Sequence, residues 1–129
     1  MTDNIVLAVV LATGAGFVLG FVYYMLIGGW LADLGVSDST ERPGWVVPVV
    51  EIIRNLVLAA VLVGVAAQMD IGSWWSGLLL GLALWIAFPV ILWVGAIVHE
   101  GTKPRLAVAH AGDWLVKLLA MGAIAGIVL

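Results

Sequence analysis

Cysteine is absent from the chain, and with it any disulfide, thiolate ligand or thiol nucleophile. Charge is scarce as well. Only 10% of the 129 residues are Asp, Glu, Lys or Arg, against about 25% in an average soluble domain. The five Lys and Arg residues form no run, tail or helix face, so the electrostatic footprint of a nucleic-acid partner is missing. There is no phosphate-binding loop, and Ser73 and Ser76 fall at the opposite end of the helices from both histidines, which leaves nucleophilic catalysis without support. The opening Met1-Thr2-Asp3-Asn4 lacks a basic residue and no A-x-A-like site follows. The first apolar run therefore reads as a retained helix, not a signal peptide.

What is present is apolar. Hydrophobic residues make up 64% of the chain and mean hydropathy is +1.22. A soluble fold of this size needs far more polar surface. Four apolar runs cover about 5–27, 45–67, 75–98 and 106–129. Each is about 33 to 36 Å long as a helix, enough to cross a hydrocarbon core of about 30 Å. The expected fold is all-α integral membrane: one domain, an antiparallel bundle of four transmembrane helices. The connections at 68–74 and 99–105 are short. The longer one, 28–44, holds Ser37 and Asp38 as candidate caps of a short surface helix.

The basic residues set an expected orientation. Arg42, Lys103 and Arg105 lie in the first and third connections, with Arg54 and Lys117 toward the same ends. By the positive-inside rule those connections face the cytoplasm and both termini are extracytoplasmic, in a multi-pass cell (inner) membrane protein. Trp30, Trp45, Trp74, Trp75 and Trp93 lie near the expected interfaces, whereas Trp85 falls mid-helix. Tyr23 and Tyr24 read first as interfacial anchors, with a hydrogen bond from one of them to the polar residues as the alternative.

Small residues recur at four-residue spacing: Gly16 and Gly20, Gly77 and Gly81, Gly122 and Gly126, with Ala60 and Gly64 in the second helix. Such pairs let backbones approach closely, within one bundle or across a dimer contact. Pro89 cannot donate to the carbonyl of Trp85, so a kink is expected there. The kink either shapes the bundle or frees a carbonyl for a polar site.

The informative residues are ionisable groups inside the helices. Glu51, Arg54 and Asn55 stand at i, i+3 and i+4 of the second helix, and His110, Asp113 and Lys117 at i, i+3 and i+7 of the fourth. Each set forms a stripe. A charge at the bilayer centre costs about 2.5 to 3.5 kcal/mol, so these stripes are expected to face the interior. Arg54 lies about 13 Å along its helix from Trp45, and Asp113 about 10 Å from Leu106. The two stripes and Pro89 thus converge at one depth. The charges balance, either by cross-pairing Arg54 with Asp113 and Glu51 with Lys117, or by pairing within each helix. Such a cluster is a brace or a substrate or proton site. No metal or other cofactor is expected, since a metal needs three or four ligands in reach.

Several stretches carry a resemblance. These are Gly77-Leu-Leu-Leu-Gly81-Leu-Ala-Leu-Trp85, His99-Glu100-Gly101-Thr-Lys103, His110-Ala-Gly112-Asp113-Trp-Leu-Val and Met121-Gly122-Ala-Ile-Ala-Gly126, with Gly16-Phe-Val-Leu-Gly20-Phe-Val-Tyr23-Tyr24 upstream. Together they resemble the DUF1761 family of small bacterial four-helix membrane proteins. His110 and Asp113 depart from its pattern, which more often has a polar amide and an aromatic there. The resemblance implies a four-helix membrane fold and no activity.

The leading functional expectation is a non-enzymatic structural or accessory membrane component with a buried polar cluster. The alternatives are a small proton-coupled transporter-like oligomer, with Glu51 and His110 as titrating groups, and a membrane enzyme using His110 and Asp113. Against export, the first helix lacks the intramembrane carboxylate of small multidrug exporters, which this chain matches in size and helix count. Expected partners are the lipid bilayer and either a second copy of the chain or a larger membrane complex.

Overall fold

A computed structural model describes residues 2–33 and 43–129. Four helices run through them: α1, Thr2–Asp33; α2, Val46–Gln68; α3, Trp74–Glu100; and α4, Pro104–Val128. All four are long and apolar enough to cross a membrane, and the described residues contain no strand. The chain is an all-α, four-helix protein with the character of a multi-pass membrane protein. Ser37, Asp38 and Arg42 lie outside the described residues.

α1 is longer than its apolar run suggests. It continues through Gly28 and Gly29 to Asp33, about 48 Å in all. A helical glycine costs about 1 kcal/mol relative to alanine but keeps its backbone hydrogen bonds, so the pair weakens the helix without ending it. The other ends follow local chemistry. Ser73 caps α3, its Oγ accepting from the Ser76 N–H at 3.4 Å. Gly101 closes α3 at φ +69°, while the Thr102 N–H donates to the Ala96 carbonyl at 3.1 Å. Pro104 opens α4, where its missing N–H has no partner to lose.

α3 passes Pro89 without a break. Ile86–Val90 forms a single π turn, which adds a residue to the turn and relieves the clash a proline ring makes in an α-helix. Pro89 is buried on an apolar groove beside α2, not in the polar site. Pro89 itself thus lies on the apolar side of α3. The polar link from this part of α3 is the Trp85 indole, which donates to the Ala111 carbonyl at 2.8 Å.

α4 is the hub. It packs on α1, α2 and α3, whereas α2 and α3 barely meet and the backbones of α1 and α3 do not approach each other among the described residues. Along α3 and α4 the backbones touch. A Cβ on Gly77 would overlap the Gly122 carbonyl, and one on Gly122 the Gly77 carbonyl; Gly81 faces the Leu118 carbonyl and Gly126 that of Ser73. These two glycine pairs are therefore occupied within one chain. Ala60 and Gly64 of α2 face outward instead, with open space around Gly64. Elsewhere the core is built mostly from small and branched residues, including Ala8 and Ala12 of α1, Ala59 and Val63 of α2, and Leu118 and Ala125 of α4, with the unbranched Met121 among them.

Candidate functional site

At the other end of the molecule the helices spread apart. A cleft of about 1150 Å³ opens between α1, α2 and α4, with Trp93 of α3 on its wall. The helix periodicity decides what faces it. Glu51 and Asn55 are four apart and turn inward together; so do Asp113 and Lys117.

Lys117 is the centre of the charge arrangement. Its Nζ lies 3.0 Å from Asp113 Oδ2 and 3.7 Å from Glu51 Oε2, so one ammonium joins α4 to α2. Asp113 and Lys117 are buried, at 4% and 5% exposure, while the Glu51 side chain is 30% exposed. Buried charges at this level persist only when paired. Arg54 lines the same cleft, at its exposed side. It donates to Glu51 Oε1 at 2.6 Å, yet its side chain is 54% exposed and does not reach Asp113. Rotation separates the burial of Arg54 and Asn55: one residue along a helix is about 100°, so Asn55 is buried at 2% while its neighbour stands at the open side of the cleft. The pairing is therefore within each helix, plus the Glu51–Lys117 bridge.

Asn55 donates from Nδ2 to the Glu51 carbonyl at 2.8 Å and presses its Oδ1 toward α1. Gly16 and Gly20 make room for this. A Cβ at Gly16 would sit 2.6 Å from Asn55 Oδ1, and one at Gly20 2.8 Å from Lys117 Cε. These two glycines admit side chains, those of Asn55, Met121 and Lys117, not a second backbone.

His110 is fixed from two sides. Its Nδ1 is 2.7 Å from the Tyr24 hydroxyl, and the Trp93 ring stacks on it at 4.8 Å with an interplanar angle of 13°. Tyr23 donates to the Ala109 carbonyl at 2.6 Å. Both tyrosines thus bond to α4, and Tyr24 does so through a residue of the polar set. The sequence signal was there in part: Tyr23-Tyr24 follows Gly16 and Gly20 on α1 by one to two turns. Trp93 gave no comparable signal, because its position near the end of α3 fits an interfacial ring equally well.

Two polar atoms in this region are buried without a protein partner, Asp113 Oδ1 and Trp93 Nε1. One is an acceptor and the other a donor, and both residues line the cleft. Among the described residues no three of His, Asp and Glu come together to hold a metal ion. What the arrangement offers is a largely apolar, aromatic-walled cleft that carries both signs of charge and unmet hydrogen-bonding capacity.

No curated protein and no solved structure matches the chain. A family model described as a protein of unknown function (DUF1761) matches residues 7–126, nearly the whole of the sequence, and the chain belongs to that family.

Proposed function

We propose that the protein is a non-enzymatic, multi-pass membrane protein whose cleft binds a small polar solute or protons, in the manner of a transporter-like oligomer. The observation that carries this reading is the open cleft on the ion cluster. A cluster that only braces helices is best served by a filled interior with every buried polar atom matched. Here Lys117, Asp113 and Glu51 border about 1150 Å³ of space, and Asp113 Oδ1 and Trp93 Nε1 are unmatched. Water or solute groups are the natural partners for both.

The structural-component reading keeps one observation in its favour. Lys117 is shared by carboxylates of two helices, which is how an intramembrane brace is built. The enzyme reading gains little: His110 bonds the Tyr24 hydroxyl and Asp113 pairs with Lys117, and neither is bonded to a serine or threonine hydroxyl.

The test is flux. Purified protein in vesicles is offered cations and lipophilic amines, alongside Glu51→Gln and His110→Asn. A binding and transport role gives flux or pH-dependent ligand binding in the parent and its loss in the variants, with folding retained. Absence of flux and binding in the parent, with lowered thermal stability in both variants, returns the cluster to a brace. The membrane orientation belongs to the same proposal, with both termini extracytoplasmic in the cell membrane. A fluorescent reporter that is dark outside the cytoplasm, fused after Leu129, is expected to stay dark; bright cells reverse the orientation.

A further inference from the structure

The two carboxylates of the cleft are held differently. Lys117 Nζ lies 3.0 Å from Asp113 Oδ2, within hydrogen-bond reach, and 3.7 Å from Glu51 Oε2, which is beyond it. The Asp113 side chain is 6% exposed and that of Glu51 30%. Glu51 is thus the looser and more open partner of Lys117, and its close bond is to Arg54, at 2.6 Å. It stands between cations of two helices, with its carboxylate at the edge of the open space. A carboxylate from outside can take that position without disturbing the Asp113–Lys117 pair.

Charge decides what must accompany it. Among the described residues, the Asp, Glu, Lys and Arg side chains that line the cleft are Glu51, Asp113, Arg54 and Lys117. The set is neutral by itself. A monoanion alone would bring one negative charge in excess, and a proton alone on Glu51 would leave one positive charge in excess. Either is costly beside so much apolar lining. The two together keep the cleft neutral, so each favours the binding of the other. The remaining wall bears on what the anion is attached to. Phe17, Phe21, Trp93 and Trp114 line the cleft, and such rings bind an apolar body.

Taking the cleft as the binding site proposed above, we infer that its solute is a lipophilic monocarboxylate, bound together with one proton. The proton passes from water to the Glu51 carboxylate. The neutral acid gives up its ion pairs with Arg54 and Lys117. The carboxylate of the solute replaces it across those two cations, with its apolar body on the aromatic wall. The other titratable groups of the cleft keep their partners: Asp113 stays on Lys117, and Tyr24 of α1 stays on His110 of α4.

Equilibrium binding to the purified protein in detergent tests it, with phenylacetate, phenylacetamide, phenethylamine and acetate as probes. The parent is expected to bind phenylacetate and to bind the other three at least tenfold more weakly. Between about pH 6 and 8, where a free carboxylate is ionised, its affinity should rise about tenfold for each pH unit lowered, the linkage of one proton per anion. Glu51→Gln, uncharged at every pH, should bind phenylacetate tightly throughout and flatten that slope. Arg54→Gln should weaken binding by about tenfold or more, the effect of one hydrogen bond to a charged group, and Arg54→Lys should restore part of it. A slope that persists in Glu51→Gln overturns the inference, since the proton then sits elsewhere. Equal binding by parent and Arg54→Gln overturns it, and so does acetate bound as tightly as phenylacetate. Preference for phenethylamine or phenylacetamide overturns the anion and leaves the cleft a binding site. Silence toward all four overturns it too, and flux across the wider panel above then decides whether the cleft reading falls with it.

Discussion

Two regions of this molecule use the same sequence spacing for opposite ends. Where α3 meets α4, Gly77, Gly81, Gly122 and Gly126 bring backbone against backbone and leave no room for a side chain. Where α1 meets α2 and α4, Gly16 and Gly20 leave room that Asn55, Met121 and Lys117 fill. The first interface is rigid because carbonyl groups cannot rotate away. The second is built from the ends of flexible side chains beside an open cleft, so it tolerates rearrangement. Glycine at four-residue spacing is thus a statement about available space, and what enters that space depends on the opposing helix.

The largest expected effect lies in the second region. Lys117→Met leaves Asp113 and Glu51 facing each other's surroundings without their shared cation, and should cost about 3 to 5 kcal/mol if the site stays dry. Thermal unfolding in detergent measures it. A small loss would mean that water from the cleft already screens the carboxylates, which sharpens the contrast with the dry glycine interface.

A matched pair of substitutions breaks the comparison most directly. Gly122→Ala places a methyl group against the Gly77 carbonyl and should destabilise by about 1 to 3 kcal/mol or more. Gly20→Ala meets the movable end of Lys117 and gains about 1 kcal/mol of helix propensity, so its net cost should be smaller. Equal costs would show that both glycine pairs do the same thing.

The smallest effect is expected at Arg54. An exposed ion pair contributes about 0 to 1 kcal/mol, so Arg54→Gln should leave the melting temperature in lipid-free detergent nearly unchanged. A large drop there would place Arg54 in the interior after all.

The sequence by itself determined the class of the fold, because four apolar runs of membrane-crossing length joined by short polar connections have few alternatives. It also determined which residues carry charge into the helices, and that Glu51, Asp113 and Lys117 stand at one depth. It did not determine how far α1 runs past Gly28, since a glycine pair weakens a helix without ending it. Only the tertiary structure decided that Arg54 stands exposed on the cleft while Asn55 is buried, because the rotation of α2 is set by what packs against it and three residues spanning i to i+4 cover too wide an arc to fix it. Only the tertiary structure separated the two kinds of glycine pair, brought Tyr24 and Trp93 onto His110, and left α2 and α3 apart. Those outcomes depend on partners distant in the chain, and the physical reason is that periodicity fixes the face a residue shares with its neighbours but not which helix that face will meet.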